Sequence, residues 1–511
     1  MIEQLNWTAT YVFLAFFALV TILGFIASRW RRADLDLLHE WGLGGRRFGP
    51  WVSWFLIGGD LYTAYTVIAV PALVYAVGAY GFFAIPYTII IYPFLFLVFP
   101  RMWNVTHKRG YITAGDFVFG RYGNRWLELA IAATGILATM PYIALQLVGI
   151  EKVIHALGFQ DDGLMGHVPL TIAFVILALY TYTSGLRAPA MIAFVKDIMI
   201  YVFVLAAIII IPAELGGYEK IFDTAAAAYA AKGGTAGLTL TNAQIIPYIT
   251  VALGSAMALF IYPHSLTGIL SASSGDAIKR NAIALPAFSV VLGLVGLLGV
   301  MAHAAGVNVS NPQDVVPQLV LKMFPDWFVG FCFAAIAIGA LVPAAVMSIG
   351  AANTFTRNIW KPFVHQEMSA REETILAKLT SLVVKLGALL VIFFVPTKFA
   401  IDFQLLGGMW MIQCFPAIIF GLYTRWFTGW SLLAGWAVGM AVGTYLAWGP
   451  VSWTPTHAVF DWFLAYNGII AVGLNIVVAV MVTLLAPVAA PDETEPADYI
   501  GDSCAGKAVG A

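Results

Sequence analysis

Thirteen apolar runs, most of them about 20 residues long, recur along this chain. They cover residues 8–28, 51–77, 82–100, 126–150, 168–184, 189–211, 247–268, 282–305, 327–350, 374–395, 400–422, 428–448 and 460–487, and are numbered here as spans 1 to 13. A run of about 20 residues crosses about 30 Å of hydrocarbon as a helix. There, a helix satisfies its own backbone polar groups, which water cannot reach. The expected fold is therefore an all-α integral membrane protein with about 13 transmembrane helices. Composition agrees: 61% of residues are hydrophobic and 10% charged, against about 25% charged in soluble domains. A net charge of −1 offers no basic surface to a nucleic acid. Cys332 and Cys414 lie in apolar runs and Cys504 near the end, a spacing that suggests neither a disulfide framework nor a zinc site.

The connecting segments alternate in charge. On one side lie Arg29, Arg31, Arg32, Arg46, Arg47, Arg101, Lys108, Arg109, Arg121, Arg125, Arg187, Lys279, Arg280, Arg357, Lys361, Arg371, Arg425 and Lys507; the other holds only Lys152, Lys220, Lys232, Lys322 and Lys398. The positive-inside rule makes the richer side cytoplasmic. The N-terminus is then outside and the C-terminus inside. No cleavable signal is expected, because the start carries Glu3, no basic residue and no small-residue cleavage site. Residues 488–511 read as a disordered cytoplasmic tail.

Two spans are interrupted. Gly58-Gly59-Asp60 falls in the middle of span 2, where two glycines weaken a helix and an ionisable group in hydrocarbon costs several kcal/mol on simulation scales. Span 7 runs Ala252-Leu253-Gly254-Ser255-Ala256 and then Tyr262-Pro263-His264. Broken helices in corresponding positions of two halves point to a transporter's binding site at the bilayer midplane. Each would open a five-helix unit, residues 51–211 and 247–422, in opposite orientations. Residues 1–50 and 423–487 then add one helix before and two after this core.

The loop His107-Lys108-Arg109-Gly110-Tyr111-Ile112-Thr113-Ala114-Gly115-Asp116-Phe117, followed by Arg121-Tyr122-Gly123, resembles a cytoplasmic signature of the sodium/solute symporter family. Ala345-Val346-Met347-Ser348 is similar to that family's sodium-site helix, and Pro141-Tyr142-Ile143-Ala144-Leu145-Gln146 to its Tyr-x-x-x-Gln pattern. Within the family, Gly185-Leu186-Arg187-Ala188-Pro189-Ala190 with Val195-Lys196-Asp197 looks like the bacterial monocarboxylate permeases. The resemblance implies a leucine-transporter-like five-plus-five inverted repeat in a bacterial cytoplasmic (inner) membrane. It also implies a cation-coupled importer of a small organic acid such as lactate, pyruvate or an acetate-like acid, with alanine a further candidate. The coupling ion would be Na+ or H+, with no other cofactor. The chain is read as a monomer among membrane lipids.

By resemblance, Gly58 and Leu61 would offer carbonyls to a sodium ion, Ala345 a carbonyl and Ser348 a hydroxyl. The family usually has a second hydroxyl after that serine; here the residue is Ile349. Span 6 carries Lys196-Asp197 where the family often has Thr-Asp. An ammonium group there would fill the space of a sodium ion, with Asp60 or Asp197 as counter-charge, and burial makes its deprotonation available. The plain alternatives stay open. Lys196 lies only about 10 Å deep at 1.5 Å per residue and would snorkel to the headgroups. Asp60 would cap the second half of its broken helix, and Ser348 would back-bond within its own.

A carboxylate substrate needs hydrogen-bond donors in a dry cavity, and the half-helix after Asp60 presents free N–H groups and a positive end. Candidate lining groups are Tyr62, Thr63, Tyr65 and Thr66 in that turn, Tyr142 and Gln146 on one face of span 4, Tyr262 and His264 around Pro263, and Gln404 and Trp410 in span 11. His264 is either a proton carrier or a structural hydrogen-bonder, and packing is the alternative for each tyrosine. Lys378 of span 10 would snorkel; Lys385, seven residues on, has no role in this reading. No enzyme motif, such as His-Glu-x-x-His or Gly-x-Ser-x-Gly, is present. A sodium-coupled amino-acid or other solute symporter and a transporter-like sensor are the rival functions. A channel would call for a symmetric filter or rings of charge.

Overall fold

The computed structural model describes residues 5–30, 34–159, 168–394, 400–448, 454–459, 462–486 and 492–501. Arg31, Arg32, Lys398, Cys504, Lys507 and Glu3, used above, lie outside that set. Among the described residues, ten helices are long and apolar enough to cross a membrane, and two shorter apolar ones cover Tyr65–Val77 and Val168–Ser184. A further helix, Ala370–Phe394, lies over the expected tenth span.

The helix ends follow from local chemistry. Asn124 accepts hydrogen bonds from the backbone of Trp126 and Leu127 and so opens the span 4 helix, Arg125–Ala156. Thr113 and Asp116 form a capping box that starts the short helix Ala114–Tyr122. Gly110 and Gly123, both left-handed, end the helices before them.

The span 9 helix, Asp326–Phe355, is the axis of the molecule: every residue from Cys332 to Thr354 is buried. It packs against span 1 (Trp7–Ile26), span 4, span 6 (Arg187–Leu215), span 10 and the second half of span 7. The outer faces of spans 1 and 6 carry the exposed Tyr11, Leu14, Ile198 and Ile209, as lipid-facing helices do.

Both interruptions are present as breaks in the backbone. Span 2 runs as a helix from Pro50 to Gly59 and resumes as a π-helical turn at Tyr65–Ala69. Between them the chain tightens: Leu61 N–H bonds the Gly58 carbonyl at 2.9 Å and Tyr62 N–H the Gly59 carbonyl at 3.2 Å. Span 7 stops at Leu259 and restarts at Pro263, where proline has no N–H to continue the first helix. In both cases a residue of low helix propensity marks the interruption.

Two expectations, for span 13 and for the tail, need correction. Span 13 does not begin at 460: Thr456–Val459 and Phe463–Tyr466 form an antiparallel hairpin, and the helix is Asn467–Leu485. The uniformly apolar, aromatic-rich Trp462–Tyr466 suits a strand as well as a membrane helix, so apolar character alone did not separate the two. The polar connection after span 6 holds a helix, Tyr218–Lys232. The tail is not disordered throughout. Residues 492–501 dock on the basic loops, where Asp498 meets Arg109 at 2.7 Å and Asp492 meets Arg121 at 3.0 Å. Acidic residues that cannot build a core by themselves find basic partners there.

Candidate functional site

The two breaks face each other. Ser265, one residue beyond His264, donates from its hydroxyl to Asp60 Oδ2 at 2.9 Å. His264 Nε2 lies 3.6 Å from the same oxygen. Tyr142 of span 4 and Tyr262 close around the imidazole, with ring centroids 5.4 Å and 5.2 Å from it. Tyr142 and Tyr262 are 5.9 Å apart, and Tyr65 packs on Tyr87 of span 3 at 6.5 Å. Gly407 and Gly408 of span 11 lie against the Tyr262 hydroxyl, and Gln404 sits one turn before them.

This cluster holds unused polar capacity. Asp60 Oδ1, both ring nitrogens of His264, the Tyr262 hydroxyl and Gln404 Oε1 are buried with no hydrogen-bond partner among the described residues. Buried polar groups are ordinarily satisfied, so such a concentration marks a place built to receive polar atoms from elsewhere.

Other candidates are employed differently. Gln146 accepts from the Ala64 N–H at 2.9 Å and donates to the Tyr142 carbonyl at 3.3 Å, which holds the restarting half-helix to span 4. Thr66 accepts from Thr63 N–H, and Thr63 from Tyr65 N–H. These three side chains, and not Asp60, cap the second half of span 2. Tyr62 turns away from His264 and donates to the Phe288 carbonyl at 3.1 Å, beside Tyr201. Trp410 donates to Thr444 at 3.0 Å, toward span 12. An unwound segment has no fixed period, so sequence spacing could not say which way Tyr62 or Thr63 would point.

On the other side of the same break lies Lys196. Its side chain is fully buried, its ammonium donates to the carbonyls of Gly59 and Tyr62, and Asp197 Oδ1 is 3.1 Å away. The snorkelling alternative is therefore corrected: the ammonium stays inside, because two carbonyls freed by unwinding and a carboxylate solvate it better than a long reach to the surface. The counter-charge is Asp197, not Asp60. Gly58's carbonyl is taken by the Leu61 N–H. Across from it, Ser348 back-bonds to the Ala345 carbonyl at 2.8 Å and accepts from Ser381 at 3.1 Å. Ser381 in turn accepts from Lys385 at 2.7 Å. Lys385 thus belongs to the span 9–span 10 contact, whereas Lys378 reaches toward the exposed Asp36, 3.8 Å away.

The loop of the Thr113–Asp116 signature lies at the Arg125 end of span 4 and the Phe355 end of span 9. Asn358 donates to Asp116 at 2.8 Å and to Glu128 at 2.9 Å, and Arg357 joins Asp116 to Glu373. A cavity of about 320 Å³ opens here, lined by Asp116, Arg125, Glu128, Arg357 and Lys361. It lies away from the two breaks, at the end of the molecule that carries the basic loops. Burial pushes the neighbouring Arg46 guanidinium down to about 10 against the pull of Asp116.

The sequence model of the sodium:solute symporter family matches residues 41–439. The chain belongs to the sodium:solute symporter family. Its relatives include a monocarboxylate transport permease protein of Rhizobium johnstonii, 59% identical over 96% of this chain and 99% of that one. An uncharacterised symporter of Bacillus subtilis is 33% identical over 92% of this chain and 94% of its own length. A solved Na+-coupled sialic acid symporter, substrate-bound and outward-open, covers 94% of this chain and 98% of its own with a TM-score of 0.78 at 16% identity, which shows a shared fold. This member of the family is a multi-pass cation-coupled symporter and not an enzyme.

Family membership supports sodium as the coupling ion. The residues present do not fit one at the expected place. The Gly59 and Tyr62 carbonyls already accept from Lys196, Ser348 is engaged with Ala345 and Ser381, and Ile349 brings no oxygen. Sequence reading missed Ser265, Tyr87 and Ser381. Ser265 stood directly beside a flagged break; Tyr87 and Ser381 sit in unbroken helices that give no local signal.

Proposed function

We propose that this symporter imports a short monocarboxylate, such as pyruvate or lactate, by alternating access across a bacterial cytoplasmic membrane. The observation that carries the reading is the polar cluster of Asp60, Tyr142, Tyr262, His264 and Gln404 where the two broken helices meet. It is small, aromatic-walled and supplied with donors, as a two- or three-carbon acid requires. The name of the Rhizobium relative supports the same substrate class. The five-plus-five repeat, with the N-terminus outside, is the frame for the movement.

In this reading Lys196 is a built-in cation. Its ammonium stands on the Gly59 and Tyr62 carbonyls, each one residue beyond the Gly58 and Leu61 carbonyls that the resemblance offers to sodium, and transport is coupled to protons. Uptake of labelled pyruvate, lactate, alanine and proline into proteoliposomes, with sodium and pH gradients varied independently, tests both parts. The expected outcome is pyruvate or lactate uptake driven by an inward proton gradient without sodium. Uptake of proline alone overturns the substrate, and steep sodium dependence overturns the coupling.

A further inference from the structure

We propose that His264 is the proton carrier of this transporter, taking up one proton each time a monocarboxylate anion binds beside Asp60. The inference rests on the monocarboxylate reading and adds the coupling group and its stoichiometry.

The argument is one of charge. Asp60 faces the cluster with one carboxylate oxygen engaged by Ser265 and the other unpartnered. A substrate carboxylate placed among Tyr142, Tyr262 and His264 would share a buried site with it. Two carboxylates at close range in low dielectric cannot both stay ionised without a compensating charge. Lys196 is committed to Asp197 and to the carbonyls of Gly59 and Tyr62. Lys385 is committed to Ser381 in the contact between spans 9 and 10. Tyrosines can only lose protons. Of the side chains in the cluster, His264 alone can gain a positive charge.

Its geometry suits the task. Nε2 lies 3.6 Å from Asp60 Oδ2, and Nδ1 has no hydrogen-bond partner. An imidazolium donates from both nitrogens. It can therefore serve Asp60 through Nε2 and a substrate carboxylate through Nδ1. Binding of one anion with one proton then leaves the net charge of the site unchanged, so the loaded carrier crosses no electrostatic barrier that the empty one does not. The pair also joins the two halves of the molecule, Asp60 from span 2 and His264 from span 7.

Groups on the surrounding elements do not take over the proton. Span 9 backs the His264 backbone at Gly350 and has no titratable side chain other than Cys332 between Asp326 and Arg357. Span 4 presents Tyr142, and span 3 brings Tyr87 and Tyr92. The short helix Leu38–Leu43 packs nearby with His39 and Glu40, and Glu40 is paired with Arg187 and Arg47.

The test is proton uptake on binding. Purified protein in weak buffer near pH 7.5 is titrated with pyruvate, with an indicator dye reporting protons and tryptophan fluorescence reporting binding. About one proton per bound pyruvate is expected, with apparent affinity falling roughly tenfold for each further pH unit. His264→Gln should bind at least roughly tenfold more weakly and take up no proton. Asp60→Asn, which removes the conflict of charge, should bind with no proton uptake and a flat pH profile. Binding by the wild type with no proton uptake, or unchanged uptake in His264→Gln, overturns the inference while leaving the substrate reading intact. If neither pyruvate nor lactate binds, the substrate reading falls and takes the inference with it. Should His264→Gln fail to elute as folded protein, His264→Asn takes its place in the same titration, and an unchanged proton count there overturns the inference.

Discussion

A lysine buried at this depth persists only if its charge is met on the spot, and Lys196 is met by one carboxylate and two carbonyls. Removing one partner of such a pair strands the other. Lys196→Ala should therefore cost about 3–5 kcal/mol, because Asp197 is left alone and fully buried. The apparent melting temperature in detergent is the measurement. Lys196→Ala/Asp197→Ala should recover most of the loss; equal melting of Lys196→Ala and wild type would sink the account. The same geometry predicts that Ile349→Ser alone does not confer sodium dependence, since the carbonyls remain taken. Combined with Lys196→Thr it should, and sodium-stimulated uptake by the single variant would contradict this.

At the scale of elements, the break in span 2 is held by a helix it crosses. Gln146 answers the Ala64 N–H that unwinding leaves without an intrahelical partner. Gln146→Leu removes that partner and should cost about 1–3 kcal/mol, seen as faster backbone hydrogen exchange confined to the turn around residues 63–67. Exchange unchanged there would show that another group caps the turn. How much of this was legible in the sequence depends on what marks each element. Gly58-Gly59 and Pro263 change backbone chemistry, so both breaks could be placed to within a few residues. Side-chain direction inside an unwound stretch obeys no helical period, and Tyr62 and Thr63 could not be assigned to a face. Lys196 was visible as an anomaly, but its partner depended on contacts between span 2 and span 6 that only folding provides. The strand Phe463–Tyr466 was hidden inside an apolar run, and the docking of residues 492–501 needed the basic loops to be brought together in space.

For the whole molecule, the face that carries the basic loops is tied together through Arg121. Its guanidinium donates to the Gly421 carbonyl at 3.1 Å, the Thr424 carbonyl at 2.7 Å and Asp492 at 3.0 Å. It thereby links the loop after span 3, the end of span 11 and the docked tail. These partners are not equal. Asp492 is partly exposed, and such pairs contribute about 0–1 kcal/mol and weaken with salt. Asp492→Asn should thus change stability by less than about 1 kcal/mol while speeding hydrogen exchange of residues 492–501. Two further holds, Asp498 on Arg109 and Lys108 on the Ala497 carbonyl, keep the segment in place. Arg121→Ala strands two backbone carbonyls as well. At about 1–3 kcal/mol for each buried group left unsatisfied, its loss should exceed that of Asp492→Asn severalfold. Thermal melting of the two variants side by side decides the point. If they melt alike, the tail contact and not the carbonyl contacts sets the strength of this tie. The expected order is Arg121→Ala far below Asp492→Asn, with the gap persisting at high salt, where only the ion pair is screened.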